Sequence, residues 1–99
     1  MVTEINESEF DEKMKGKCVV DFHTTWCGPC KLLAPIFAEV AGETKGVSFY
    51  KIDLDKNDEI ARDFDVVSVP TIILFEDGKP VKRASGFMKK EKLKEFIEG

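Results

Sequence analysis

Apolar positions follow two different rhythms along the chain. Cys18-Val19-Val20-Asp21-Phe22 and Thr71-Ile72-Ile73-Leu74-Phe75 are almost continuous apolar runs, the pattern of strands covered on both faces. Val47 to Leu54 reads as a further buried strand. Leu33, Ile36, Phe37 and Val40 instead recur at i, i+3, i+4 and i+7, the stripe of an amphipathic helix that fades near Gly42 to Gly46. Pro35 falls inside that helix and should kink it. A short helix carrying Phe10 and Met14 on one face can be capped by Asn6 with Glu9, or by Ser8 with Asp11, and Gly16 ends it. Asp58 to Phe64 reads as another short helix, with Ile60, Ala61 and Phe64 turned inward, and Leu93, Phe96 and Ile97 mark a last one. Asp77-Gly78 is a hairpin signal. The strand that follows contains Pro80, which cannot donate to a ladder, so it belongs on a sheet edge.

Strands alternating with helices, then a hairpin and a final helix, predict a mixed α/β sheet with helices on both faces. Chemistry in such sheets collects at the carboxyl ends of parallel strands. The run Trp26-Cys27-Gly28-Pro29-Cys30 follows the first strong strand directly, so it should lie there.

The chain has 99 residues, which fits one domain spanning residues 1–99 with a modest core. Its net charge is -4 and its lysines are spread among acids, which argues against a nucleic-acid partner. No stretch approaches the ~20 apolar residues of a membrane span. The start Met1-Val2-Thr3-Glu4-Ile5-Asn6-Glu7 lacks the basic and apolar regions of a secretory signal. Three cysteines are too few for a disulfide scaffold, and one C-x-x-C pair plus a lone Cys18 fits a reducing cytoplasm.

Two cysteines three apart at a helix start share one face within disulfide reach. Cys27 falls nearest the helix N-terminus, where free N–H groups and the macrodipole stabilise a thiolate, the nucleophile of disulfide exchange. Gly28 lets a substrate backbone approach, and Pro29 suits a first helical turn. Two other readings exist for the pair. Zinc needs four ligands, and only Cys18 and His23 could complete a set. A structural disulfide normally closes a longer loop. Period two puts Val19, Asp21 and His23 on one strand face. A carboxylate there is expensive unless satisfied. Lys51 lies in the strand Phe49-Tyr50-Lys51-Ile52, where a lysine can snorkel at the strand end.

Asp21-Phe22, then Trp26-Cys27-Gly28-Pro29-Cys30-Lys31, then Ala34-Pro35, resembles the active-site segment of the thioredoxin family, and Val69-Pro70-Thr71 resembles its substrate-binding proline loop. The match runs from about Phe10 to the C-terminus. The resemblance implies the thioredoxin fold, a central mixed sheet of about five strands flanked by four helices. It implies a protein dithiol–disulfide oxidoreductase with Cys27 as nucleophile, Cys30 as resolving thiol, Asp21 as proton acceptor for Cys30 and Lys51 as the partner of that acid. Substrate contacts would fall to Trp26, Gly28, Pro29, Val69, Pro70 and Gly86, with a cis bond before Pro70 and the Val69 backbone pairing with a bound peptide. Gly28-Pro29 between the cysteines resembles reducing members rather than oxidases or isomerases. The expected partners are a thioredoxin reductase and disulfide-containing client proteins. No metal and no cofactor beyond the redox-active disulfide are expected, and the chain should act as a cytoplasmic monomer. His23 stands where relatives often carry a large aromatic residue, and Cys18 is an extra thiol expected to be an inert small hydrophobe.

Overall fold

The apolar runs fold as the central strands of one five-stranded sheet. A computed structural model describes all 99 residues, Met1–Gly99. In chain order the elements are β1 (Val2–Glu4), a 3-10 turn (Glu7–Glu9) leading into α1 (Phe10–Lys13), β2 (Lys17–His23), α2 (Gly28–Glu43), β3 (Ser48–Asp53), α3 (Asp58–Asp63), β4 (Thr71–Glu76), β5 (Lys79–Ser85) and α4 (Lys90–Glu98). The sheet order is β1-β3-β2-β4-β5. β1 and β2 run parallel to β3, while β4 is antiparallel to both β2 and β5.

Alternation along β2 divides the core in two. Cys18, Val20 and Phe22 join Ile73, Phe75, Phe10 and Ile60 on one face, under α1 and α3. Val19 joins Ile72, Leu74, Leu33, Phe37 and Leu93 on the other, under α2 and α4. Aromatic rings tighten the first face: Phe10, Phe64 and Phe75 meet with centroids 5.2 to 5.3 Å apart. Cys18 is fully enclosed there, its thiol 3.4 Å from the Lys15 carbonyl, and burial pushes its pKa up.

Sequence and structure differ at the N-terminal end. β1 was not anticipated, because Val2-Thr3-Glu4 carries no strand pattern; it forms by pairing with the open edge of β3, Val2 opposite Phe49. The first helix divides into the 3-10 turn and one α-turn. Of its two possible caps, Asn6 and Glu9 are used: the Asn6 amide donates to Glu9 Oε1 at 2.8 Å. The long helix runs through Pro35 without interruption. The hairpin forms where expected. Asp77 (φ 50°) and Gly78 (φ 85°) both take the left-handed geometry that a two-residue hairpin turn requires. Pro80 lies in the edge strand β5, and the ladder shifts register beside it, between Leu74 and Phe75.

Candidate active site

β2 delivers the chain to the N-terminus of α2, and Cys27 is the N-cap residue there. Its backbone is extended (φ −89°, ψ 116°), and its sulfur accepts the Cys30 amide N–H at 3.1 Å. An oxygen side chain usually fills this position. Placing sulfur there aims a helix N-terminal donor at Cys27 Sγ. Cys27 and Cys30 are joined by a disulfide with Cα atoms 5.2 Å apart. Both residues are largely enclosed, at 5% and 4% exposure. Pro29 sits in the first helical turn, where a missing N–H leaves nothing unpaired.

Two further loops close on the cysteines. The Val69–Pro70 bond is cis, and the Val69 carbonyl lies 3.7 Å from Cys27 Sγ. Gly86, at φ 90°, donates its N–H to the Pro70 carbonyl at 2.8 Å. A side chain at that φ would be strained, so glycine lets the loop after β5 turn back to hold the proline loop. The resulting groove has a volume of about 530 Å³ and is lined by Trp26, Cys27, Gly28, Pro29, Val67 and Val69 among others. Trp26 is 71% exposed rather than part of the core, and its Nε1 donates to Asp55 Oδ1 at 3.2 Å. Val67 is likewise almost fully exposed.

Beneath the cysteines lies Asp21, buried, with Oδ1 enclosed and unpartnered. Burial raises its pKa from an ordinary 3.8 to about 7, and the positive charge of Lys51 opposes that rise. Lys51 is its register partner on β3. The two line a cavity of about 200 Å³ that also reaches Cys30. The ion-pair contacts of the chain lie elsewhere, between Arg62 and Asp58 and between Lys90 or Lys94 and Glu39 or Glu43. Cys18 packs on the opposite face of the sheet and cannot complete a zinc set with Cys27, Cys30 and His23. No cluster of three or more His, Cys, Asp or Glu side chains is arranged to hold a metal ion.

The structure thus brings Cys27, Cys30, Trp26, Gly28, Pro29, Val69, Pro70 and Gly86 to one end of the sheet, with Asp21 and Lys51 just below. The sequence reading missed Asp55, the partner of the Trp26 indole. An acid 29 residues away in a turn carries no signal of that contact.

A redox pair at a helix start, beside an open groove on this fold, defines a dithiol–disulfide oxidoreductase. Comparison with known proteins agrees. The family model described as Thioredoxin matches residues 1–99. Thioredoxin of Staphylococcus saprophyticus is 44% identical over 99 residues, covering 98% of this chain and 95% of that protein. Thioredoxin of Mycoplasmoides gallisepticum is 44% identical over 95 residues, covering 94% and 95%. The crystal structure of Malassezia sympodialis thioredoxin superposes with a TM-score of 0.87 at 33% identity, covering 98% of this chain and 88% of the other. The chain belongs to the thioredoxin family and is a protein-disulfide reductase.

Proposed function

We propose that Cys27 is the attacking thiol of this reductase and Cys30 the resolving one, with Asp21 as the proton acceptor for Cys30. The observation that carries this reading is the Cys30 amide N–H directed at Cys27 Sγ from the first turn of α2. The donor and the helix dipole favour a thiolate at Cys27, while Cys30 lies one turn deeper beside a buried acid. Cys27 thiolate attacks one sulfur of a client disulfide, the client S–S bond breaks, and one client thiolate leaves. Cys30 then gives its proton to Asp21 and attacks Cys27 Sγ. The mixed disulfide breaks, the second client thiolate leaves, and the Cys27–Cys30 disulfide forms. Two electrons have passed to the client. A thioredoxin reductase returns them to the protein.

Trp26, Gly28, Pro29, Val69, Pro70 and Gly86 form the client-binding surface, with the Val69 backbone pairing with an extended client segment. Lys51 moderates the charge state of Asp21. The chain works as a monomer in the cytoplasm, without metal or cofactor. No helix is long and apolar enough to cross a membrane.

Insulin reduction by cysteine variants tests the assignment. Cys27→Ser should abolish turnover, whereas Cys30→Ser should accumulate a stable mixed disulfide that mass spectrometry locates on Cys27. Accumulation on Cys30 in Cys27→Ser, with an inert Cys30→Ser, would reverse the two roles. A redox potential more reducing than the glutathione pool supports the reducing direction.

A further inference from the structure

The cavity below Cys30 is lined by Asp21, His23, Thr24, Lys31 and Lys51 as well as the cysteine itself. Three enclosed side-chain atoms have no partner within the chain: Asp21 Oδ1, His23 Nε2 and Thr24 Oγ1. All three belong to residues of this one chamber. Asp21 and Thr24 are more than nine-tenths buried, at 3% and 6% exposure. Buried polar atoms normally find partners, so three orphans around one polar chamber mark it as a place for water. A volume of about 200 Å³ holds several water molecules.

His23 differs from the other two in being only half-buried. Its Nε2 is enclosed, while the residue as a whole keeps partial exposure. It stands two residues beyond Asp21, on the same face of β2 and nearer the open end of the strand. His23 therefore lines the same pocket as the buried acid while keeping partial exposure of its own.

We propose that His23 is the proton outlet of Asp21. The proton that Cys30 gives up passes from the Asp21 carboxyl, through water in the chamber, to His23 Nε2. It leaves from the other ring nitrogen to solvent, and the path runs in reverse when the disulfide is reduced again. Imidazole suits this task because one nitrogen can take up a proton while the other releases one. The charged groups facing the ring are Asp21 on its own strand, Lys51 and Asp53 on β3, and Lys31 on α2. The acids attract the transferred proton and the lysines oppose its staying. His23 acts through Asp21, so it is a positioning residue for the proton path, and the inference rests on Asp21 being the acceptor for Cys30.

The test uses the full chain with Cys27 held in a mixed disulfide with a coloured aromatic thiol that stays ionised at neutral pH. Attack by Cys30 then yields the Cys27–Cys30 disulfide, one coloured thiolate and one proton. Stopped-flow absorbance follows the thiolate, and an indicator dye in weak buffer follows the proton. In the parent the two signals should coincide. In His23→Gln the thiolate should appear on time and the proton should lag about tenfold, less than the ~10²- to 10⁴-fold contribution of a base acting on the reacting atoms. Added imidazole should remove the lag in His23→Ala. Prompt proton release in His23→Gln, or a lag in His23→Ala that imidazole leaves unchanged, would overturn the proposal. Asp21→Asn separates the two layers. If it slows thiolate release while His23→Gln releases protons promptly, only the outlet is wrong. If it leaves thiolate release as fast as in the parent, Asp21 is not the acceptor and the outlet falls with it.

Discussion

Asp21 is a buried carboxylate whose Oδ1 the fold leaves without a partner. Asp21 is raised to about 7 by burial, against the pull of Lys51. The unfolded chain holds the same group near its ordinary value of ~3.9. Between those two values the folded state binds the extra proton. Asp21 therefore favours the native state most below about pH 4, and that contribution is lost as pH rises through about 7. A shift of that size is worth at most about 4 kcal/mol at alkaline pH. Asp21→Asn should be more stable than the parent near pH 8, by about 2 kcal/mol once the unmet hydrogen bonds of the amide are allowed for. The gain should vanish near pH 4, and turnover should fall in the same variant. Denaturant midpoints at the two pH values, with insulin reduction, check this; a variant less stable at pH 8 that turns over normally would make Asp21 a structural group. The C-x-x-C pair and Asp21 stood out as residue types in settings that standard packing does not explain, whereas the proline loop was legible only through its likeness to the family's segment. The place of Trp26 at the site came from the resemblance, and the structure adds that it is 71% exposed with its indole held by Asp55.

At the scale of elements, the site is the meeting of a helix start and two loops, and no single element contains it. The Gly86 N–H holds the Pro70 carbonyl, and the Val69 carbonyl faces Cys27 Sγ. Gly86→Ala tests that arrangement. A Cβ there would meet nothing within 4 Å, so the cost is one of backbone alone, at φ 90°. We expect a loss of about 1–2 kcal/mol in stability. We also expect a raised KM for insulin with kcat within about twofold, as when binding common to substrate and transition state is removed. An unchanged KM in a folded variant would detach Gly86 from client binding. The long central elements were readable in advance because their periodicity is set by burial on one or both faces. β1 was not, since three residues with one partly buried side chain carry no period, and what orders them is the free edge of β3.

For the whole molecule, the redox state of one bond should change the stability of the entire fold. The disulfide links residues only three apart in sequence. Closing so short a loop restricts the unfolded chain by about 2 kcal/mol in the chain-entropy account. The oxidised protein should melt about 10 °C above the reduced one, a difference calorimetry of the two forms would reveal. Equal melting temperatures would mean that the reduced site recovers the same free energy through its own contacts. The mixed sheet with helices on both faces was legible from the order of patterns alone. The parallel pairing of β2 with β3 and the two-sided core supplied what spacing could not: a polar pocket beside Cys30 and Asp21, and a groove beside Cys27. Cys27, the residue proposed to attack, is itself only 5% exposed, so it does not project into a client. The client must bring its own disulfide to the floor of the groove on a stretch of chain free of its native neighbours. A bond locked in a rigid client is then reduced only as often as that region opens, so reaction rates across clients become a reading of their local unfolding equilibria.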